Sequence, residues 1–297
     1  MADVIFIGLS LSSILLLVAL GLAITYGTMG VINMAHGELV MIGAYVTVLC
    51  QTHFGLHFLL TIPVAFVVTG AFGYAIERFV VRRLYGRLLD TLLATWGLAI
   101  IIQQAIRLEF GAAFADLHID GLGPGLQNVP IPSFFRETFL VGDFVVQPYR
   151  SFIIVLTIGL FVLTWWLIFH TSFGMQLRAV SRNRGIASCC GIDDKKINAW
   201  TFAYGSGLAG AAGVMLAGFK TVSPSMGTPF VIDGFLVVVM GGVGSLFGTL
   251  GAAVILGEVQ GWVASLLNDV LARAIVFGVI IVVIILRPQG LFSRRGR

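Results

Sequence analysis

The residues able to do chemistry are few, and they gather at breaks between long apolar runs. The densest group is Asn33-Met-Ala-His36-Gly-Glu38, which joins an amide, an imidazole and a carboxylate at the start of an apolar stretch. A charge held at membrane depth costs about 2.5–3.5 kcal/mol on insertion scales, so such groups need a reason to be there. A carboxylate in the first turn of a helix is favoured by the helix dipole. Two readings stand: the group lines a solute pathway or meets a cytoplasmic partner, or it caps and anchors the helix that follows. His36 and Glu38 are two residues apart and do not share a helix face, which argues against a joint metal site. His53 and His57 have a chelating spacing, but Gly55 between them marks a turn. No metal ligand set and no bound cofactor are expected.

Further polar groups punctuate later runs. Thr95-Trp96 offers a hydroxyl and an indole donor, although an isolated Trp also serves as an interfacial anchor. Pro224-Ser-Met-Gly-Thr-Pro229, followed by Asp233, has the pattern of an interrupted helix, whose freed backbone groups can bind a solute. Glu258 stands in mid-run and needs a partner or neutralisation; Arg273 on the next helix is the expected partner. Gly241-Gly-Val-Gly-Ser-Leu-Phe-Gly248 loosely matches a phosphate loop, but both its flanks are apolar runs, and helix packing or a helix break is the expected role. No arrangement of nucleophile and base points to catalysis.

The elements that hold these groups follow from composition. Of 297 residues, 58% are apolar and 11% charged, with mean hydropathy +1.00. A soluble protein carries about 25% charged residues, so a bilayer is the solvent that fits. Val4–Gly37, Leu39–Ile76, Thr91–Ile106, Ser151–Leu177, Ile197–Phe219, Gly234–Gly257 and Ala274–Leu286 contain no Asp, Glu, Lys or Arg. A spanning helix needs about 20 apolar residues, and the period-2 alternation of a membrane barrel is absent. The expected fold is an all-α integral membrane protein of about 8–10 transmembrane helices, some broken or re-entrant, in one domain over 1–297. Spans are expected near 4–26, 38–50, 57–77, 91–110, 151–170, 200–219, 230–247, 249–268 and 271–287. The first run lacks a positive leader region and is expected to stay as a span.

Charge placement sets the sidedness. Basic residues concentrate in Arg78–Arg87, Arg178–Lys196 and Arg287–Arg297, whereas Arg107–Arg150 mixes three Arg with Glu109, Asp116, Asp120, Glu137 and Asp143. The positive-inside rule puts the three clusters in the cytoplasm and the loop at about 111–149 outside, with the amino terminus also outside. The net charge of +4 is therefore a topology signal and not a nucleic-acid footprint. Cys50, Cys189 and Cys190 form no disulfide framework. Gly205–Gly213 places small residues four apart, a spacing that lets helix backbones approach closely in lipid.

The cytoplasmic segment at about 171–199 is too short to hydrolyse a nucleotide. It reads as an amphipathic helix, with Ile186, Cys189 and Cys190 apolar and Arg182 and Arg184 polar, ending at Gly191. Asp193-Asp194 then caps the next helix. Such an element suits docking to a partner protein or lying on the lipid surface.

Five stretches carry a family resemblance: 21–38 (GLAITYGTMGVINMAHGE), 91–98 (TLLATWGL), 178–184 (RAVSRNR), 232–244 (IDGFLVVVMGGVG) and 287–292 (RPQGLF). Together they resemble the branched-chain amino acid permease family of ATP-binding-cassette (ABC) importers, and within it the urea-transport permease subunit. The resemblance implies a bacterial inner-membrane permease, not an enzyme, that pairs with a second permease. It implies two cytoplasmic ATPase subunits that use the ATP, and a periplasmic solute-binding protein. By position, Arg184, Ala187, Gly191 and Ile192 become the ATPase-coupling residues, and Asn33, His36, Glu38, Thr95, Trp96 and Asp233 the solute-pathway residues. The Ala94-Thr95-Trp96 stretch and the Arg178–Arg184 loop tilt the resemblance toward urea as the expected solute, a neutral molecule for which amides, hydroxyls and backbone groups suffice; a branched-chain amino acid is the alternative. A passive urea or ammonia channel is the rival of another class, and it would not need segment 171–199.

Overall fold

The computed structural model describes residues 1–108, 121–123, 125–141, 144–287 and 290–292. Glu109, Asp116, Asp120 and Asp143 of the mixed outer segment lie outside the described residues.

Nine helices of 14 to 28 residues make up the bundle among the described residues. They are α1 (Ala2–Met29), α2 (His36–Phe54), α3 (Phe58–Phe79), α4 (Leu88–Arg107), α5 (Pro148–His170), α8 (Asp194–Ala217), α9 (Thr228–Gly241), α10 (Leu246–Leu266) and α11 (Asp269–Leu286). Two short helices, α6 (Ser172–Arg182) and α7 (Arg184–Cys189), fill the segment between α5 and α8. The nine-span threading read from the sequence matches these helices one for one. Among the described residues, the outer loop holds the helical turn Ser133–Arg136 and a small antiparallel hairpin, β1 (Phe139–Val141) with β2 (Phe144–Val146), in which Phe139 pairs with Val146. The hairpin is tied to the start of α1, where the Val145 N–H donates to Asp3 Oδ1 at 3.1 Å. That tie keeps the amino terminus on the outer-loop side, as the charge pattern requires.

Among the described residues, five helices are long and apolar enough to cross a membrane: Asp3–Met29, Phe58–Phe79, Leu88–Arg107, Pro148–His170 and Leu246–Leu266. Two of the others, α2 and α8, are less apolar because they are shielded from lipid. They pack on each other and on α1 and α3, and nearly every α8 side chain from Ile197 to Ala217 is buried. Small residues permit this. A Cβ on Gly213 would strike the Val40 carbonyl and the Ala44 amide of α2, so only glycine allows the two backbones to meet. Around this centre, Leu17, Val18, Leu39, Met41, Phe202 and Met215 are fully or almost fully buried.

One expected span is shorter than its sequence run. α9 stops at Gly241, and its 14 residues reach about 21 Å, less than the ~30 Å hydrocarbon core. The chain before it folds back into the bundle, and Gly227 lies against Gly37 at the start of α2. His36 in turn reaches Val18, in the middle of α1. Both α2 and α9 therefore begin at mid-depth. These are the broken elements that the polar interruptions at 33–38 and 224–229 signalled.

Candidate functional site

The polar break sits where α1, α2, α4 and α9 converge. α1 ends at Met29, and the chain turns through 30–35 before α2 starts at His36. Asn33, His36 and Glu38 are all buried, at 1%, 1% and 4% exposure. Asn33 Oδ1 accepts the Ala35 N–H at 3.1 Å and shapes the turn. Thr95 Oγ1 on α4 accepts the Met34 N–H at 3.1 Å, and its own proton is placed to go to the Thr91 carbonyl at 2.9 Å. His36 Nε2 lies 3.1 Å from the Val18 carbonyl; a carbonyl only accepts, so Nε2 carries the proton and Nδ1 keeps a lone pair. Glu38 Oε1 accepts from the Thr228 hydroxyl at 3.4 Å, which puts the carboxylate between the first turns of α2 and α9. Two helix N-termini meeting at mid-depth set partial positive charge beside the Glu38 carboxyl group.

The structure thus gathers Asn33, His36, Glu38 and Thr95 around one junction. Trp96 is exposed on the outer face of α4, and Asp233 belongs to a different cavity. Three buried polar atoms at the junction remain unpaired: Asn33 Nδ2, His36 Nδ1 and Glu38 Oε2. One donor group and two acceptors are therefore still available to a passing solute or to water.

Below the junction lies a cytoplasmic vestibule of about 590 Å³, lined by the end of α1 (Tyr26–Gly30), the start of α4 and residues 180–184. Arg184 of its wall belongs to a polar network. Glu77, fully buried near the end of α3, is held by Arg82 through Nη2 at 2.9 Å and Nε at 3.3 Å, and it accepts the Tyr85 phenol at 2.6 Å. Burial pushes the Tyr85 phenol well above its usual range, and the Glu77 bond adds to the effect. Arg82 is raised by the same carboxylate. Arg184 stacks its guanidinium on the Tyr85 ring, 4.5 Å from the centroid, and donates through Nη2 to the Met29 carbonyl at 3.4 Å. Arg82 Nη2 also reaches the Lys195 carbonyl at 3.4 Å. The network ties α3, the end of α1, the start of α8 and the coupling segment together.

The coupling segment departs from its sequence reading in one respect. Two helices replace the single amphipathic one, because Asn183 interrupts the run and caps α7, accepting the Ile186 N–H at 3.1 Å. Leu177, Val180, Ala187 and Ile197 form a small core of their own. Ile186, Cys189 and Cys190, which the sequence groups as an apolar face, are exposed instead. Of the coupling residues named above, Arg184 and Ala187 face the permease body, Ile192 is half-buried, and Gly191 holds the exposed turn at φ 81°. Asp193 caps α8 as expected, accepting the Lys195 and Lys196 N–H groups at 3.1 Å each. Those bonds, the Lys196 one foremost, hold its carboxyl below the usual range.

The ion pair expected of Glu258 is not formed. Arg273 pairs with Asp233 on α9, at 3.8 Å, while Glu258 lies against α1 at Gly8. α11 packs on both α9 and α10, and no sequence pattern distinguishes the carboxylates on those two helices. The Asp233–Arg273 pair lies in a cavity of about 210 Å³ formed by the outer ends of α1, α5, α8, α9, α10 and α11.

A family model described as branched-chain amino acid transport system / permease component matches residues 4–285. The chain belongs to that family. Among the relatives of this permease, the high-affinity branched-chain amino acid transport system permease protein BraD of Pseudomonas aeruginosa is 30% identical, covering 97% of this chain and 94% of its own. LivH of Escherichia coli K12 is 28% identical over the same shares. The LivM permease of E. coli K12 is 26% identical over 95% of this chain and 68% of its own. A solved chain of PsaBC from Streptococcus pneumoniae, in complex with Fab, has the same fold: TM-score 0.51 and 11% identity, over 95% of this chain and 91% of that one. The protein is a multi-pass inner-membrane permease of an ABC importer of the branched-chain amino acid type.

Proposed function

We propose that this permease carries branched-chain amino acids inward, with α6 and α7 docking on a cytoplasmic ATPase that supplies the energy. The substrate follows the relatives, all named for branched-chain amino acid transport and matched over 94% of BraD and of LivH and 68% of LivM; none of the three is named for urea. Branched-chain amino acids therefore take the place that the Thr95-Trp96 and Arg178–Arg184 stretches gave to urea. A second permease, two ATPase subunits that use the ATP and a periplasmic binding protein complete the importer.

The observation that carries the coupling role is Arg184. It sits in the segment between α5 and α8, yet it touches Tyr85 and the end of α1. A push on α7 is thereby delivered to α1, the helix that lines both cavities. A passive channel would need no such link.

The test is uptake of labelled leucine and labelled urea into proteoliposomes holding the complete importer, with and without ATP. ATP-dependent leucine uptake is expected. ATP-independent urea flux with no leucine uptake would replace this reading by the channel.

A further inference from the structure

We propose that the outer cavity around Asp233 receives the solute as a zwitterion, with Asp233 taking the ammonium, the cavity's cations the carboxylate and an aliphatic wall the side chain. The proposal rests on the branched-chain reading and adds where and how such a solute is held.

Position comes first. The cavity is built from residues 10–15 of α1, the first turns of α5 and α11, the end of α8 and the outer part of α10. Each of these lies toward the outer-loop side, where a periplasmic binding protein delivers its cargo. The volume of about 210 Å³ equals that of about seven waters. It suits a free amino acid and is too small for a peptide.

Charge comes second. Arg150, Lys220 and Arg273 share the cavity with one carboxylate, Asp233, so a local excess of positive charge awaits an anion. A neutral amide such as urea leaves that excess unbalanced. At 3.8 Å the Asp233–Arg273 pair is longer than a charge-assisted hydrogen bond, which closes at about 2.7–2.9 Å. Both groups therefore keep capacity for a ligand between or beside them. Arg150 is fixed by Gln147 Oε1 at 2.5 Å and Ser10 Oγ at 3.0 Å, and it lies over the Phe219 ring at 5.0 Å. Lys220 is similarly placed over Phe230, at 5.3 Å. Arg150 is thus held in place while Lys220 is exposed, and each keeps N–H donors for a carboxylate.

Shape comes third. Leu11, Ile14, Leu15 and Leu216 line the rest of the cavity. They give an aliphatic side chain a dry wall, worth about 0.8 kcal/mol per methylene buried. Ammonium, carboxylate and branched chain thus each have a counterpart in one small volume.

The test uses the complete importer in proteoliposomes. Asp233→Asn with Arg273→Gln removes both members of the pair together, so neither is left without the other and assembly is expected to survive. The leucine KM is expected to rise by about tenfold or more. Leu11→Trp fills the cavity without touching a charge, and a comparable loss of uptake is expected while the ATPase still co-purifies. A diazirine analogue of leucine supplies a readout that a structural role would not move. Photolabelling is expected on the α1 and α9 stretches that line the cavity, reduced by excess leucine and by the double substitution. Leucine uptake with a normal KM in both variants, or labelling confined to other helices, overturns the cavity assignment and leaves the branched-chain reading standing. Absence of leucine uptake by the unaltered importer overturns that reading, and the ligand assigned to the cavity with it.

Discussion

Arg184→Ala is the substitution whose effect can be worked furthest from the structure. Two interactions disappear: the guanidinium stack on Tyr85, at 4.5 Å from the ring centroid, and the bond to the Met29 carbonyl at 3.4 Å. A half-buried cation–π contact contributes about 1 kcal/mol. A hydrogen bond from a charged group is worth about 1.5–3 kcal/mol, and this one, long at 3.4 Å, falls below that range at about 1 kcal/mol. Together they tie the coupling segment to the end of α1 by about 2 kcal/mol, a roughly thirtyfold bias between linked and unlinked states. In reconstituted importer, leucine carried per ATP hydrolysed is expected to fall at least about fivefold, with the ATPase still co-purifying. Arg184→Lys keeps the charge but not the planar stack and is expected to lie between. Tyr85→Phe separates coupling from stability, because the ring remains while Glu77 loses its 2.6 Å phenol bond. That variant should melt earlier, by the equivalent of about 1.5–3 kcal/mol, yet transport with a near-normal ratio. An Arg184→Ala importer with an unchanged ratio would refute the link.

Three other outcomes are expected. Exposed Cys189 and Cys190 should react with a membrane-impermeant maleimide from the cytoplasmic side of the permease alone and be protected in the assembled importer, while buried Cys50 stays silent; protection absent from the full complex would remove α7 from the docking face. Thr95→Val leaves the Met34 N–H without its acceptor and should cost about 1–3 kcal/mol in detergent melting, whereas Thr95→Ser restores the bond; equal melting of the two variants would contradict this. Gly213→Ala drives a methyl group into the α2 backbone at Val40 and Ala44, and should cost about 3 kcal/mol, at the top of the overpacking range, because backbone cannot rotate away; a wild-type melting temperature would contradict the packing argument.

The fold was legible because lipid imposes a length and a polarity on every span, and because the basic clusters orient them. The interruptions at 33–38 and 224–229 were legible too, since polar residues within apolar runs need a structural reason. Partnerships between distant helices were not. Arg273 faces Asp233 and not Glu258 because of the way α11 is seated between α9 and α10, and no periodicity encodes that choice. The Tyr85–Arg184 stack and the cavity lined by Arg150, Lys220 and Gln260 were missed for the same reason: each unites residues at the ends of separate helices. One signal was available. Arg150 and Lys220 are lone cations at the outer ends of apolar runs, where the positive-inside rule gives them no topological duty. The exposure of Ile186, Cys189 and Cys190 escaped notice because a single helix was drawn through Asn183, a residue whose side chain is suited to end one helix and cap the next.

The placement of α1 gives these parts a common logic. Ser10–Leu15, in the outer half of the helix, line the small charged cavity, and its inner end, Tyr26–Met29, lines the vestibule. Between them Leu17 and Val18 are buried without exposure, and the Val18 carbonyl is held by His36 at the head of α2. A solute passing from one cavity to the other must cross this level, so α1 and the junction at 33–38 have to separate or slide. Both neighbours allow sliding more readily than bending, because Gly205 of α8 and Gly234 of α9 meet α1 with no side chain of their own. The coupling segment grips α1 at Met29, one end of the same rigid helix. On the proposed mechanism, a small displacement of that end is carried along α1 as a unit. Moving as a unit, α1 shifts the Val18–His36 bond and its own wall of the Asp233 cavity together, so barrier and cavity respond to one displacement. Replacing His36 by Gln, which can still donate to the Val18 carbonyl, should then preserve transport, whereas His36→Leu, which cannot, should leave ATP hydrolysis intact and import reduced by about tenfold. Equal import by the two variants would place the barrier elsewhere.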